Sequence, residues 1–287
     1  MTQAPVSRAE TAPPAPDADV RVVAFYCFVR LADPAAEQSR LLALCQAGGI
    51  KGTIIVADEG YNGTVAGPDA VIAELVEILL ALAGDAVPEI KYARAATMPF
   101  GWLRVRHKRE IVTMGVPDLD IAGAGGEYVD PADWNALIAD PATLIVDTRN
   151  HYEVGIGSFA GAIDPGTQGF TQFPQWLKEF AEGMSEAERR TRPLAMFCTG
   201  GIRCEKSTAL ARSLGFEQVH HLKGGILAYL EQVEEVESRW EGDCFVFDQR
   251  VAVTHGLAPG HHILCKPCGM PVAMEDAEAH AAVCRKG

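Results

Sequence analysis

Residues 194–216 read LAMFCTGGIRCEKSTALARSLGF. An apolar run too short for a helix ends at Cys198, a Thr-Gly-Gly-Ile-Arg loop follows, and helical character begins at once. A buried strand that passes so abruptly into a helix confines the chain to folds in which strand ends face helix starts. Two further short apolar runs, ATLIVDTR and EQVHHL, flank it with helical patterns between them. The spacing predicts a parallel α/β sheet covered on both faces.

A thiol attacks as its thiolate, and helix N-termini and nearby cations favour that form. Gly200 and Gly201 let the loop Thr199-Gly200-Gly201-Ile202 turn its amides toward one point, an anion-binding nest. Arg203, with four residues between it and Cys198, adds a fixed positive charge. A lone cysteine at a strand end is more often packing, but this loop and arginine favour a nucleophile. Cys204 reads either as a resolving thiol for an oxidised or persulfidated Cys198 or as helix packing.

This loop resembles the sulfurtransferase loop of the rhodanese family; the phosphatase relatives use one residue more. DTRNHYEVGIGSFAGAIDPG is similar to that family's upstream pattern, with Asp147, Arg149, Glu153, Gly155, Gly161, Ala162 and Ile163 in order. GIGSF departs from the usual Gly-His-Ile, while HLKGGILAY resembles the closing Gly-Gly turn. Asp147 and Arg149 are expected to orient the loop, and Glu153 to form a structural ion pair rather than move protons.

Residues 20–115 show a different pattern. A strand over 20–31, a helix from Pro34 to Gly48-Gly49, a strand in KGTIIVADEG, a Gly60–Gly63 turn into a strand over 64–66, a helix from Pro68-Asp69 and a strand over 89–93 follow in order. This β-α-β-β-α-β succession predicts a ferredoxin-like α+β domain, an antiparallel sheet with both helices on one face. WLRVRHKREIVTMG extends it, with Leu103 and Val105 inward and Arg104 and Arg106 outward.

The chain of 287 residues carries a net charge of −13, which argues against non-specific nucleic-acid binding by its bulk surface. Yet Lys91, Arg94, Arg104, Arg106, Lys108 and Arg109 occur with no acid among them, interleaved with Tyr92, Phe100 and Trp102. Such a mixture suits single-stranded RNA, cations tracking phosphates and rings stacking on bases. A solvated strand face with its aromatics in the core is the competing reading.

Residues 1–19 read as a disordered Ala/Pro-rich tail without a secretory core, and residues 116–126 as a linker. No run reaches the ~18 apolar residues of a membrane span. Eight cysteines without a secretory signal predict reduced thiols in a cytoplasmic protein. After a catalytic domain over 127–240, the extension 241–287 carries Cys265-x2-Cys268, His280 and Cys284. Three sulfurs and one nitrogen at this spacing predict a tetrahedral structural zinc site, with His261 or His262 as alternatives to His280.

Across residues 20–253 the chain resembles the bacterial rhodanese-domain proteins that hydroxylate the wobble uridine of tRNA. FCTGGIRCEKST, GDCFVFDQRVAV and DEGYNGTVAG carry the likeness; Asp243 stands where a glutamate is expected. The resemblance implies oxygen-dependent formation of 5-hydroxyuridine at position 34, molecular oxygen as co-substrate, a tRNA anticodon stem-loop as partner, and a requirement for Cys198. No flavin, haem or non-haem iron motif is seen. The loop alone fits a Cys198 persulfide relay, a plain sulfurtransferase, equally well.

Overall fold

The computed structural model describes residues 20–117 and 119–284, so the expected tail lies outside the described residues. The chain forms two compact units that divide between Thr113 and Met114.

In the first unit, β1 (Val20–Phe28), α1 (Pro34–Ala47), β2 (Lys51–Ala57), β3 (Gly60–Gly67), α2 (Asp69–Ala83), β4 (Glu89–Ala95) and β5 (Leu103–His107) follow in order. The sheet order is β4-β1-β3-β2-β5. In β1 alternation turns Val23, Phe25 and Cys27 inward. There they join Leu41 of α1 and Ile72, Leu75 and Leu79 of α2 in one core, so both helices cover the same face. Asp33 caps α1 by accepting the Ala36 amide proton at 2.9 Å.

Two expectations are corrected. β5 crosses to the edge opposite β4 and runs parallel to β2, so the sheet is mixed rather than antiparallel. Gly60 opens β3 instead of forming a turn. Its φ is +137°, and a Cβ there would stand 1.9 Å from the Cys27 carbonyl oxygen. Glycine is required here for close strand approach, which the sequence also offers at a turn.

The second unit begins with α3 (Ile121–Ala124), β6 (Glu127–Val129), α4 (Pro131–Ala139), β7 (Leu144–Asp147), α5 (His151–Val154) and β8 (Gly157–Phe159). Next come α6 (Phe173–Glu182), α7 (Glu186–Thr191), β9 (Leu194–Phe197), α8 (Ile202–Ser213), β10 (Val219–Leu222) and α9 (Gly225–Gln232). β11 (Trp240–Gly242), β12 (Cys244–Phe245), β13 (Ala252–Val253), β14 (His262–Leu264), β15 (Pro271–Ala273) and α10 (Ala277–Val283) complete it. β6, β10, β9 and β7 form a parallel sheet in that order. Ala195 and Phe197 of β9 pack with Trp134, Ile226 and Tyr229 of α4 and α9. Leu194 and Met196 point the other way and are equally buried, so both faces are covered.

Part of the expected linker folds. Asp120 accepts the Gly123 amide proton at 2.8 Å and starts α3, and Gly126 donates to Thr208 Oγ1 of α8 at 2.9 Å. The start of the expected C-terminal extension is likewise inside the core. Cys244, Val246 and Val253 share the cluster of Phe159, Phe197 and Trp240, and β11 pairs with β8. Among the described residues no helix is long and apolar enough to cross a membrane.

Candidate active site

Cys198 follows β9, the strand held between β10 and β7, and α8 starts four residues later. Gly201, at φ 99°, turns its N–H onto the Cys198 Sγ at 3.1 Å. Burial alone would raise the thiol. The Cys204 thiol's hydrogen bond, the Arg203 charge and the Arg203 and Cys204 amides outweigh it and bring Cys198 from 9.0 down to about 5. Cys204 moves the other way, held protonated by burial and by the Cys198 sulfur beside it.

The nest thus closes on the protein's own sulfur. Arg203 does not point freely into a substrate site, because its Nη1 and Nη2 donate to Glu153 Oε2 and Oε1 at 2.7 and 2.8 Å. Nη2 also donates to Thr199 Oγ1 at 3.3 Å. Glu153 closes a capping box with Asn150 at the start of α5. Burial opposes its ionisation, but Arg203 holds it below the usual carboxylate range.

Asp147 and Arg149 form a second buried pair, Nε to Oδ1 at 2.9 Å and Nη2 to Oδ2 at 2.7 Å. Arg149 also donates to the Gly157 carbonyl at 2.6 Å and lies over the Trp240 ring. Ser158 Oγ donates to Asp147 at 2.8 Å. GIGSF therefore ties the end of β7 to β8 and β11.

Sequence reading missed what holds the loop from below. The Ile226 and Leu227 amides at the start of α9 donate to the Cys198 and Thr199 carbonyls at 3.0 and 3.1 Å. Gly225 permits this approach, since a Cβ there would stand 2.5 Å from the Cys198 oxygen. The Gly224-Gly225 pair was the available signal. Drawn inward by these bonds, Cys198 has 0% exposure. The sequence predicts a nucleophilic thiol; the structure encloses it.

The basic segment is split. Arg104 and Arg106 are exposed on the sheet face away from the helices, with Val105 buried between them. Lys108 and Arg109 are exposed just beyond β5. Trp102 is 56% exposed, with the Arg104 guanidinium 5.0 Å from its ring centre. Tyr92 packs on the helix-covered core and Arg94 pairs with Asp69 at the start of α2, so neither joins that surface. Lys91 lies on β4, the opposite edge strand, near Glu89.

Cys265, Cys268, His280 and Cys284 converge, their ligand atoms all within 4.8 Å of one another. The Cys265–Cys284 sulfurs are 3.6 Å apart and Cys268 Sγ is 3.4 Å from His280 Nε2. Zn–S bonds near 2.3 Å in a tetrahedron set sulfurs about 3.8 Å apart, so the donor set fits zinc. His261 and His262 turn elsewhere: Asp243 accepts from the His261 amide at 2.6 Å and faces His262 Nδ1 at 2.7 Å.

A cysteine enclosed at the end of a central parallel strand, its loop anchored by two helix starts, defines a rhodanese-type unit joined to a ferredoxin-like one. Residues 130–232 match the model of the rhodanese-like domain, and residues 20–111 that of the UPF0176 acylphosphatase like domain. The tRNA uridine(34) hydroxylase of Mesorhizobium japonicum is 54% identical over 264 residues, 92% of this chain and 84% of that protein. That of Caulobacter vibrioides is 54% identical over 261 residues, 90% of this chain and 82% of its own. The chain belongs to the tRNA uridine(34) hydroxylase family. Among solved structures, the human single-domain sulfurtransferase TSTD1 is 25% identical over 38% of this chain and 100% of its own, at a TM-score of 0.30.

Proposed function

We propose that this chain hydroxylates uridine 34 of tRNA to 5-hydroxyuridine, using dioxygen, with Cys198 as the attacking group. The observation that carries the chemistry is the Cys198 sulfur, held as thiolate by the Gly201 N–H at 3.1 Å and by Arg203. Addition of the thiolate to C6 of the uracil makes C5 electron-rich, the carbon that accepts oxygen. Gly201 and Arg203 are committed to the sulfur and to Glu153, so they set up the nucleophile. Because Cys198 is enclosed, the base reaches it in a more open arrangement of the loop.

Arg104, Arg106 and Trp102, with Lys108 and Arg109 beyond them, supply cations and an exposed ring for the anticodon stem-loop. Cys265, Cys268, His280 and Cys284 hold a structural zinc that fastens the β14–β15 hairpin to α10.

The test is nucleoside mass spectrometry of tRNA from cells lacking the protein, complemented with the wild type or Cys198→Ser. Loss of 5-hydroxyuridine restored only by the wild type is expected. A persulfide on Cys198 with tRNA nucleosides unchanged would instead make the chain a sulfurtransferase.

A further inference from the structure

Gly201 joins two cysteines. Its N–H donates to Cys198 Sγ at 3.1 Å, and its carbonyl accepts the Cys204 amide proton at 2.9 Å. Cys204, in the first turn of α8, is thereby brought under the loop that carries the Cys198 sulfur. On its other side Thr148 Oγ1 lies 3.8 Å from Cys204 Sγ and donates to the Phe197 carbonyl at 3.0 Å. Both sulfurs have 0% exposure and both are free thiols. Packing alone does not need a second sulfur here; an alanine or serine fills such a position.

We propose that Cys204 is a second catalytic residue, and that Cys198 and Cys204 together supply the two electrons of the hydroxylation, ending as a disulfide. The proposal rests on the hydroxylase reading above. Hydroxylation by dioxygen places one oxygen atom on C5 and must reduce the other to water. The balance is uridine plus O2 plus two thiols giving 5-hydroxyuridine, water and one disulfide.

The steps follow from two buried cysteines gathered on one loop glycine. Cys198 adds to C6, and the resulting C5 carbanion takes up dioxygen and a proton as a C5 hydroperoxide. Once Cys198 is a thioether, the negative charge that held Cys204 protonated is gone. The Cys204 sulfur then attacks the outer peroxide oxygen, breaking the O–O bond and leaving C5–OH and a Cys204 sulfenic acid. Loss of the C5 proton expels Cys198 from C6 and restores the ring. The freed Cys198 thiolate displaces hydroxide from Cys204 to form the disulfide, and an external thiol reduces it for the next turnover.

The test is a reaction of full-length, prereduced protein with an anticodon stem-loop RNA in air-saturated buffer without added thiol, quenched with an alkylating agent. One 5-hydroxyuridine per chain is expected, matched by one Cys198–Cys204 disulfide in the peptide spectrum, and dithiothreitol converts this burst to multiple turnover. Cys204→Ser and Cys204→Ala should lose product at least tenfold while still trapping 5-fluorouridine RNA on Cys198, which shows that the site is folded. Product without the disulfide, or full turnover by either variant, overturns the role of Cys204 and leaves the hydroxylase reading intact. Absence of product from the wild type with thiol present overturns both.

Discussion

Arg203 donates to both carboxylate oxygens of Glu153, at 2.7 and 2.8 Å, with the Glu153 side chain wholly buried and that of Arg203 9% exposed. The pair joins the first turn of α8 to α5 across fifty residues of sequence. Removing one member strands the other's charge in the interior, which typically costs about 3–5 kcal/mol. Glu153→Ala is expected to lower stability by that order in chemical denaturation. Glu153→Gln, which keeps one acceptor oxygen, should cost less. In the folded Glu153→Gln protein the Arg203 charge acts on Cys198 unopposed, so thiolate absorbance should persist to lower pH than in the wild type.

Cys198 has its thiol brought from 9.0 to about 5, burial being outweighed by the Cys204 thiol, the Arg203 charge and the backbone amides. A depressed pKa means that the unfolded chain binds a proton the native chain does not. The contribution to stability is full above pH 9, declines through the window, and is gone once pH falls through about 5. Cys204, raised by burial and by the Cys198 sulfur, acts with opposite sign and only above the ordinary thiol range. Between pH 9 and 5 the wild type should therefore lose stability relative to Cys198→Ser; equal pH profiles in denaturant titrations would remove the thiolate assignment.

Gly225 takes φ +66°, and a Cβ would stand 2.5 Å from the Cys198 oxygen and 2.8 Å from the Gly201 nitrogen. The left-handed conformation alone costs a substituted residue about 1–2 kcal/mol. The clash must also push the loop off the start of α9. Gly225→Ala should lower the melting temperature and raise the Cys198 pKa together, as read by thermal unfolding and by the pH dependence of thiolate absorbance. Gly200→Ala, where a Cβ meets nothing within 4 Å, is the control expected to do neither.

What the sequence showed and hid follows from distance along the chain. Cys198, the two loop glycines and Arg203 lie within six residues, so loop length and helix start were legible together. The Glu153 partner of Arg203 and the α9 amides under Cys198 come from separate elements, which only the order of the parallel sheet brings to one point. In the first unit the alternation of Leu103, Arg104, Val105 and Arg106 told which side chains turn outward. That Arg94 turns to the helices depends on its register against Arg21 of β1, where both arginines meet Asp69. Parallel pairing of β5 depends on a crossing that no local pattern encodes.

Zinc should be present at one atom per chain in elemental analysis of protein purified without chelator. Its four ligand atoms come from the turn between β14 and β15 and from α10 and its C-terminal end, elements that bury none of their residues. Cys268→Ser or prolonged chelation is expected to expose residues 262–284 to proteolysis first. The core around Phe159 and Trp240 does not depend on these ligands, so the main unfolding transition should move little. His262→Ala should retain the metal, since that ring faces Asp243.

Arg104 and Arg106 share one exposed strand face, whereas Arg94 is paired with Asp69. If the first two meet phosphates of the stem-loop, each alanine substitution should reduce the slope of log affinity against log salt by about 0.7–0.9. Arg94→Ala should leave that slope unchanged. Trp102, 56% exposed beneath the Arg104 guanidinium, offers a stacking face rather than a charge. Trp102→Ala should thus weaken binding by about 1–3 kcal/mol at every salt concentration without altering the slope. A filter-binding or anisotropy titration over a range of salt separates the two effects, and an unchanged slope for the double Arg104→Ala, Arg106→Ala variant would move the RNA surface elsewhere.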